Sequence, residues 1–248
     1  MVLGRLFGKL AAKPAPPPLT LLIDDKVVAV ALRRNAKAKR MTLRMSRSGD
    51  GAVLTMPMRA SVAEAARFVE SSKLWAANQL LKVKPSTVMS DGAAISFQGE
   101  AFAIAAIGGT RGLVHLADDK KTIVVPGAAE HVSRRLEDWL KRQAKLALVA
   151  ATARYATAMQ LTYQKVSIRD QKTRWGSCSS SGELSYSWRL VLAPPYVLDY
   201  VAAHEVAHLA EMNHGPRFWR LVLTHCGRAG DAKRWLKAHG HDLHRFKL

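Results

Sequence analysis

The chain has 248 residues, 38 of them Lys or Arg against 19 Asp or Glu, for a formal net charge of +19. Apolar residues at 48% and charged residues at 23% are values of a chain with a core, which excludes an intrinsically disordered protein. Two cysteines, Cys178 and Cys226, exclude a disulfide-dense scaffold and an all-cysteine zinc site, and no uncharged apolar run approaches the ~18 residues of a transmembrane helix.

The first ten residues, MVLGRLFGKL, are interrupted by Arg5 and Lys9. They lack the unbroken apolar stretch of about 7–15 residues that a signal peptide requires. The Pro-rich run Pro14–Pro18 then marks residues 1–20 as a flexible tail. A cytoplasmic, reducing location is expected. From Leu21 to Leu32 the chain reads as strand with a turn at Asp24-Asp25, and Met41–Met45 and Ala52–Met56 follow as short strands. The cations Arg33, Arg34, Lys37, Lys39, Arg40, Arg44 and Arg47 cluster here with no acid among them. Such a surface suits a polyanion such as nucleic acid, or is simply solvated.

Ser61 followed by Glu64 forms a capping box, and Ala65, Phe68, Val69 and Trp75 recur at helical spacing, so one helix is expected to about Leu81. Four strands are predicted near Ala94–Phe97, Ala101–Ile107, Gly112–Leu116 and Thr122–Val125, punctuated by glycine. Apolar residues then recur at helical period from about Ala129 to Met159. Strands are predicted at Tyr163–Arg169 and Thr173–Cys178. The latter turns through Ser179–Gly182 into a strand over Leu184–Leu192. Pro194-Pro195 opens a helix, Pro216 a second, and Asp231 is expected to cap a last one. The fold class is α+β: a β-rich N-terminal domain over 21–128 with one helix, then a catalytic domain over 129–248 with a small sheet and an active-site helix.

That helix carries His204-Glu205-Val206-Ala207-His208. Histidines at i and i+4 share one helix face a turn apart, the spacing that grips one zinc ion. A glutamate next to the first histidine reaches the open side of the metal, where it can deprotonate a bound water. A catalytic zinc takes three protein ligands. His214 lies ten residues on, about 15 Å if the helix continued, so the chain must turn back to deliver it. Asn213 tolerates left-handed backbone, Gly215 nearly any, and Pro216 starts a new helix, so the sequence supplies such a turn. Glu211 is the rival third ligand, but it sits two turns from His204, so His214 is preferred. Cys178, Cys226 and His225 read as core or supporting residues, and His239, His241 and His244 as a solvated C-terminal cluster. Trp175 and Trp188 are expected in the core, with Phe218 and Trp219 packing the next helix behind the histidine helix.

Arg174-Trp175-Gly176-Ser177-Cys178-Ser179, Trp188-Arg189-Leu190-Val191, Ala193-Pro194-Pro195, Asp199-Tyr200-Val201, His204-Glu205, Asn213-His214 and Phe218-Trp219 together resemble the YgjP-like family of zinc metallopeptidases. The likeness is specific along about 80 residues and weaker over the β-rich first half. It implies a zincin-type domain, distantly similar to the SprT-like and WLM-type proteases. One zinc would fall on His204, His208 and His214, and the catalytic acid on Glu205. The His spacing equals that of metzincins, but Glu211 stands where those enzymes have glycine, and no methionine follows His214.

The expected reaction is peptide hydrolysis, with Tyr200, Arg174 or Asn213 as candidate donors to the developing oxyanion. The strand before the active helix is a candidate edge for an extended peptide or protein substrate. A nucleic-acid-tethered protease and a non-peptidase metal hydrolase are the alternatives. Nothing in the sequence sets the oligomeric state.

Overall fold

The computed structural model describes residues 19–46, 51–81, 87–109, 111–118, 121–171 and 173–247. The Pro-rich tail and Arg47 lie outside them. The chain is α+β and divides into two compact units, Met1–Val83 and Lys84–Leu248. The division therefore does not fall at the Gly127–His131 junction, where the sequence composition changes.

The first unit is a four-stranded sheet covered by two helices. Its strands are β1 (Leu19–Ile23), β2 (Lys26–Arg34), β3 (Thr42–Met45) and β4 (Gly51–Met56), in the order β1-β2-β4-β3. The β1–β2 hairpin closes on Asp24-Asp25, with Asp24 at φ 49°, a left-handed conformation that a short polar side chain tolerates. β2 and β4 run parallel. Alternation sends Leu21, Ile23, Val28, Val30, Leu54 and Met56 inward, where they pack with Ala65 and Val69 of α1 (Val62–Ser71) and Ala76 of α2 (Lys73–Leu80).

The Ser61 capping box is complete: the Ser61 hydroxyl accepts from the Glu64 amide at 3.1 Å, and the Glu64 carboxylate accepts from the Ser61 amide at 2.7 Å. The single helix expected to Leu81 is two. The hydroxyls of Ser71 and Ser72 both donate to the Phe68 carbonyl, at 3.0 and 2.7 Å. Ser72 takes φ −90°, ψ 3° between the helices. Side-chain competition for backbone acceptors of this kind ends or bends a helix.

The second unit begins with β5 (Thr87–Val88) and a four-stranded sheet. That sheet contains β6 (Ala94–Phe97), β7 (Glu100–Ile107), β8 (His115–Leu116) and β9 (Thr122–Pro126), ordered β6-β7-β9-β8. It belongs with the catalytic half because its buried face, with Ile95, Phe97, Ile104, Ile123 and Val125, joins one core with Leu136 and Leu140 of the long helix α3 (Val132–Ala158). The Phe97 and Trp139 rings lie 5.0 Å apart.

The turn between β6 and β7 is pinned to the segment before the histidine helix. Gln98 and Gly99 amides donate to the Val191 and Leu192 carbonyls at 2.8 and 3.2 Å. Gly99, at φ +83°, lies so close to Pro194 that a Cβ would approach its ring to 2.7 Å.

A three-stranded sheet follows: β10 (Lys165–Arg169), β11 (Gly176–Cys178) and β12 (Glu183–Ser187), ordered β10-β12-β11. β12 ends at Ser187. The expected continuation to Leu192 is a 3₁₀ helix over Trp188–Leu192, all five residues buried. Then come α4 (Pro195–Ala207), α5 (Pro216–His225), α6 (Ala229–His239), a 3₁₀ turn at Asp242–His244 and β13 (Phe246–Lys247), which pairs parallel with β5. Asp231 does not cap α6. It lies inside the first turn, where it accepts from Arg228 and Arg234.

Candidate metal centre

α4 is the axis of the second unit. Pro195 occupies its first turn, where a missing amide costs nothing. The helix is apolar on every side, with Val197, Leu198, Val201, Ala202, Ala203, Val206 and Ala207 buried, as expected of a helix enclosed by its domain. In that setting His204, Glu205 and His208 are conspicuous. Helical backbone ends at His208 (φ −66°, ψ −16°). The chain turns through residues 209–215, and α5 starts at Pro216, bringing His214 back over the end of α4. The turn does not use the permissive backbone expected of it. Asn213 is not among the positive-φ residues, and Gly215 is extended at φ −77°, ψ −177°.

His204, His208 and His214 converge. One ring nitrogen from each lies within 4.8 Å of the others, and the Nε2 atoms of His204 and His214 are 3.1 Å apart. His208 is oriented from behind. Its Nδ1 is 3.0 Å from the Glu211 carbonyl, an acceptor that requires Nδ1–H and leaves Nε2 with its lone pair. His204 has Tyr200 behind it, with the hydroxyl 3.5 Å from Nδ1. Glu211, the rival third ligand, is outside the cluster among the described residues; its side chain lies 4.0 Å from Arg217.

Phe218 forms the floor. Its ring centroid is 4.8, 4.6 and 4.7 Å from those of His204, His208 and His214, and the residue is fully buried. Trp219 stacks on His214 at 5.9 Å, and Lys233 lies 4.2 Å over the Trp219 ring.

Burial lowers the His204 pKa to about 4, with the neighbouring imidazoles and Lys233 contributing, and burial lowers His208 as well. Both rings are therefore neutral at pH 7, the form that ligates. Three converging imidazole nitrogens in this arrangement fit the three-ligand, one-open-position pattern of catalytic zinc.

Glu205 is 5% exposed and lies against Gly176 of β11. A Cβ at Gly176 would fall 2.6 Å from both Cγ and Oε1 of Glu205. Burial raises the Glu205 pKa to about 7, against an opposing pull from Arg174. A carboxyl poised at that value can take and return a proton near neutrality. Tyr200 is buried, and its phenol is pushed up to about 12. Arg174 and Asn213 are exposed.

Trp188 is fully buried and Trp175 half-buried against the same core. Cys226 is buried; Cys178, on β11, is half-buried, and its thiol is raised by burial and by Glu205. His225 is half-buried at the end of α5. Of the C-terminal histidines, His239 and His241 are exposed as expected, whereas the segment around His244 is packed. Leu243 and Phe246 are buried, and the His244 ring lies 5.1 Å from Trp175. The close approach of Gly176 to Glu205 does not follow from the motif spacing. The signal available was a glycine inside a strand, which often marks a place where something approaches the backbone.

The profile of the family described as "YgjP-like, metallopeptidase domain" matches residues 39–239. No curated protein matches the chain significantly. A solved structure, that of the metallopeptidase zymogen of Pyrococcus abyssi abylysin, is 21% identical and aligns over 36% of this chain and 92% of its own, with a TM-score of 0.33. Among the described residues, no helix is long and apolar enough to cross a membrane.

Proposed function

The chain belongs to the YgjP-like metallopeptidase family, and on that premise we propose that it cleaves peptide bonds with one zinc ion held by His204, His208 and His214 and with Glu205 as general base. The observation that carries this reading is the convergence of three imidazoles, with a buried carboxyl on the residue next to the first of them. Bound there, zinc would supply Lewis-acid polarisation of the scissile carbonyl and a water acidic enough to ionise near pH 7.

Glu205 takes a proton from the attacking water as its oxygen bonds to the carbonyl carbon. The same carboxyl then delivers that proton to the departing nitrogen as the C–N bond breaks. Tyr200, one of the three oxyanion candidates, stands at Nδ1 of His204, away from Nε2. Its role in this reading is to orient the ligand. Arg174, whose charge reaches Glu205, is the better candidate for the developing negative charge. Among the described residues, Asn213 is placed only by its carbonyl, which accepts from the Gly215 amide at 2.8 Å, and this does not favour it.

Both edges of β12 are covered, by β10 and β11, so it cannot take a substrate strand. β10 and β11 are the edge strands, and β11 is the one that lies against Glu205. An extended peptide pairing with β11 would use main-chain hydrogen bonds and tolerate many side chains. The expected result with a peptide library is cleavage that 1,10-phenanthroline abolishes and added zinc restores. Cleavage that survives chelation would refute the reading.

A nucleic-acid tether is favoured by one observation: Arg33, Arg34, Lys37, Lys39, Arg40 and Arg44 are all exposed. Duplex binding that falls steeply with salt is its test. A cytoplasmic location, consistent with two free thiols, is tested by cell fractionation.

A further inference from the structure

The strand edge that covers Glu205 is held from behind by the end of the chain. Trp175 immediately precedes β11, and its carbonyl accepts from the Ser187 amide at 2.8 Å, fixing the strand to the end of β12. The Trp175 indole meets the C-terminal segment at two points. One is Gly240, at the end of α6, where a Cβ would come within 3.2 Å of Cζ2 and 2.5 Å of the Leu236 carbonyl. The second is the His244 ring, at 5.1 Å and 34°.

That segment is itself tied down by a buried cation. Arg189 Nη1 donates to the carbonyls of Leu243 (2.9 Å) and Phe246 (3.1 Å), while Nε and Nη2 donate to the Asp170 carboxylate at 2.7 and 3.3 Å. Leu243 and Phe246 fill the core beneath it. A continuous set of contacts thus runs from Asp170 through Arg189, the C-terminal turn and Trp175 to Gly176, and ends on the Glu205 carboxyl.

We propose that Trp175 is a positioning residue, and that the C-terminal segment 240–246 clasps its indole so that β11 is held down on Glu205. This deepens the metallopeptidase reading and rests on it for the catalytic role of Glu205. Tethering one residue from Gly176 matters because displacement of a reacting group by about 1 Å can cost on the order of 100-fold in rate. The clasp is made by rings and backbone carbonyls, so its strength depends on shape.

The test compares wild type, His244→Ala and His244→Phe in the full-length protein. It measures zinc content, kcat and KM at saturating zinc, and hydrogen exchange of the segment 175–178 in metal-free protein. In His244→Ala the expected results are wild-type zinc content, kcat lowered by about 10-fold, and faster exchange at 175–178 with α3 unchanged. His244→Phe should restore both kcat and protection, since it keeps the ring. A lower Tm with unchanged kcat and unchanged exchange at 175–178 would overturn the proposal, as would failure of phenylalanine to rescue. The exchange measurement needs neither zinc nor turnover. If wild type cleaves nothing, the metallopeptidase reading fails while the clasp is still tested.

Discussion

Gly176 lies against Glu205 so closely that a single added methyl would sit 2.6 Å from the carboxylate oxygen Oε1. One strand residue therefore sets where the proposed general base can be. Gly176→Ala should bind zinc normally, because the three imidazoles lie on α4 and the following turn. Its kcat should fall about 100-fold or more as the carboxyl is pushed from its place. Zinc content and kcat measured together check this; near-wild-type turnover would show that Glu205 moves without consequence.

Phe218 touches all three histidines and is fully buried. Phe218→Leu keeps an apolar side chain but removes the flat floor. Metal affinity should weaken about 10-fold, in the range seen for groups that support ligands, with a stability loss of about 1 kcal/mol. Competitive chelator titration and thermal melts are the measurements.

Tyr200 distinguishes two roles. If its hydroxyl orients His204, Tyr200→Phe should weaken zinc binding several-fold and leave kcat at saturating zinc within a few-fold of wild type. If it stabilised the oxyanion, kcat would fall about 100-fold or more at full zinc occupancy.

Asp170 gives the C-terminal clasp a pH dependence. Burial raises its carboxyl, but the hydrogen bonds and charge of Arg189 outweigh this, with His244 and Lys141 adding to them, and the net pKa lies below the usual 3.8. A lowered folded-state value means the ion pair contributes stability above about pH 3.8. That contribution is lost as pH falls through the lower folded value. Wild type should therefore melt higher than Asp170→Asn at pH 7, and the gap should close below about pH 3.8.

Much of the site was legible because it is local. The i, i+4 histidines, the adjacent glutamate, the proline at the start of α4 and the start of α5 at Pro216 follow from helical spacing and from the residues that open a helix. The capping box at Ser61 and Glu64 is equally local. Other features depend on contacts distant in sequence. Leu184–Leu192 reads as one apolar run, yet only its first part finds strand partners; Trp188–Leu192 is drawn into the core under α3 as a 3₁₀ helix. β5 and β13 are two residues each and exist only because chain positions near 87 and 246 meet. The strands from 94 to 126 look like a continuation of the first half, but their buried face is complementary to α3. His239 and His241 are exposed as the sequence suggests, but the packing around His244 is not legible, because the backbone acceptors that bind Arg189 carry no mark in the sequence.

The most direct measurement is the zinc content of wild type and Glu205→Gln, each assayed for cleavage of casein and a peptide library. Both proteins should hold one zinc per chain, and only wild type should cleave, with Glu205→Gln reduced by three orders of magnitude or more, roughly the loss expected when an essential base is removed. Equal cleavage by the two would remove Glu205 from the chemistry, and absence of zinc from both after metal-replete purification would contradict the proposed metal centre itself.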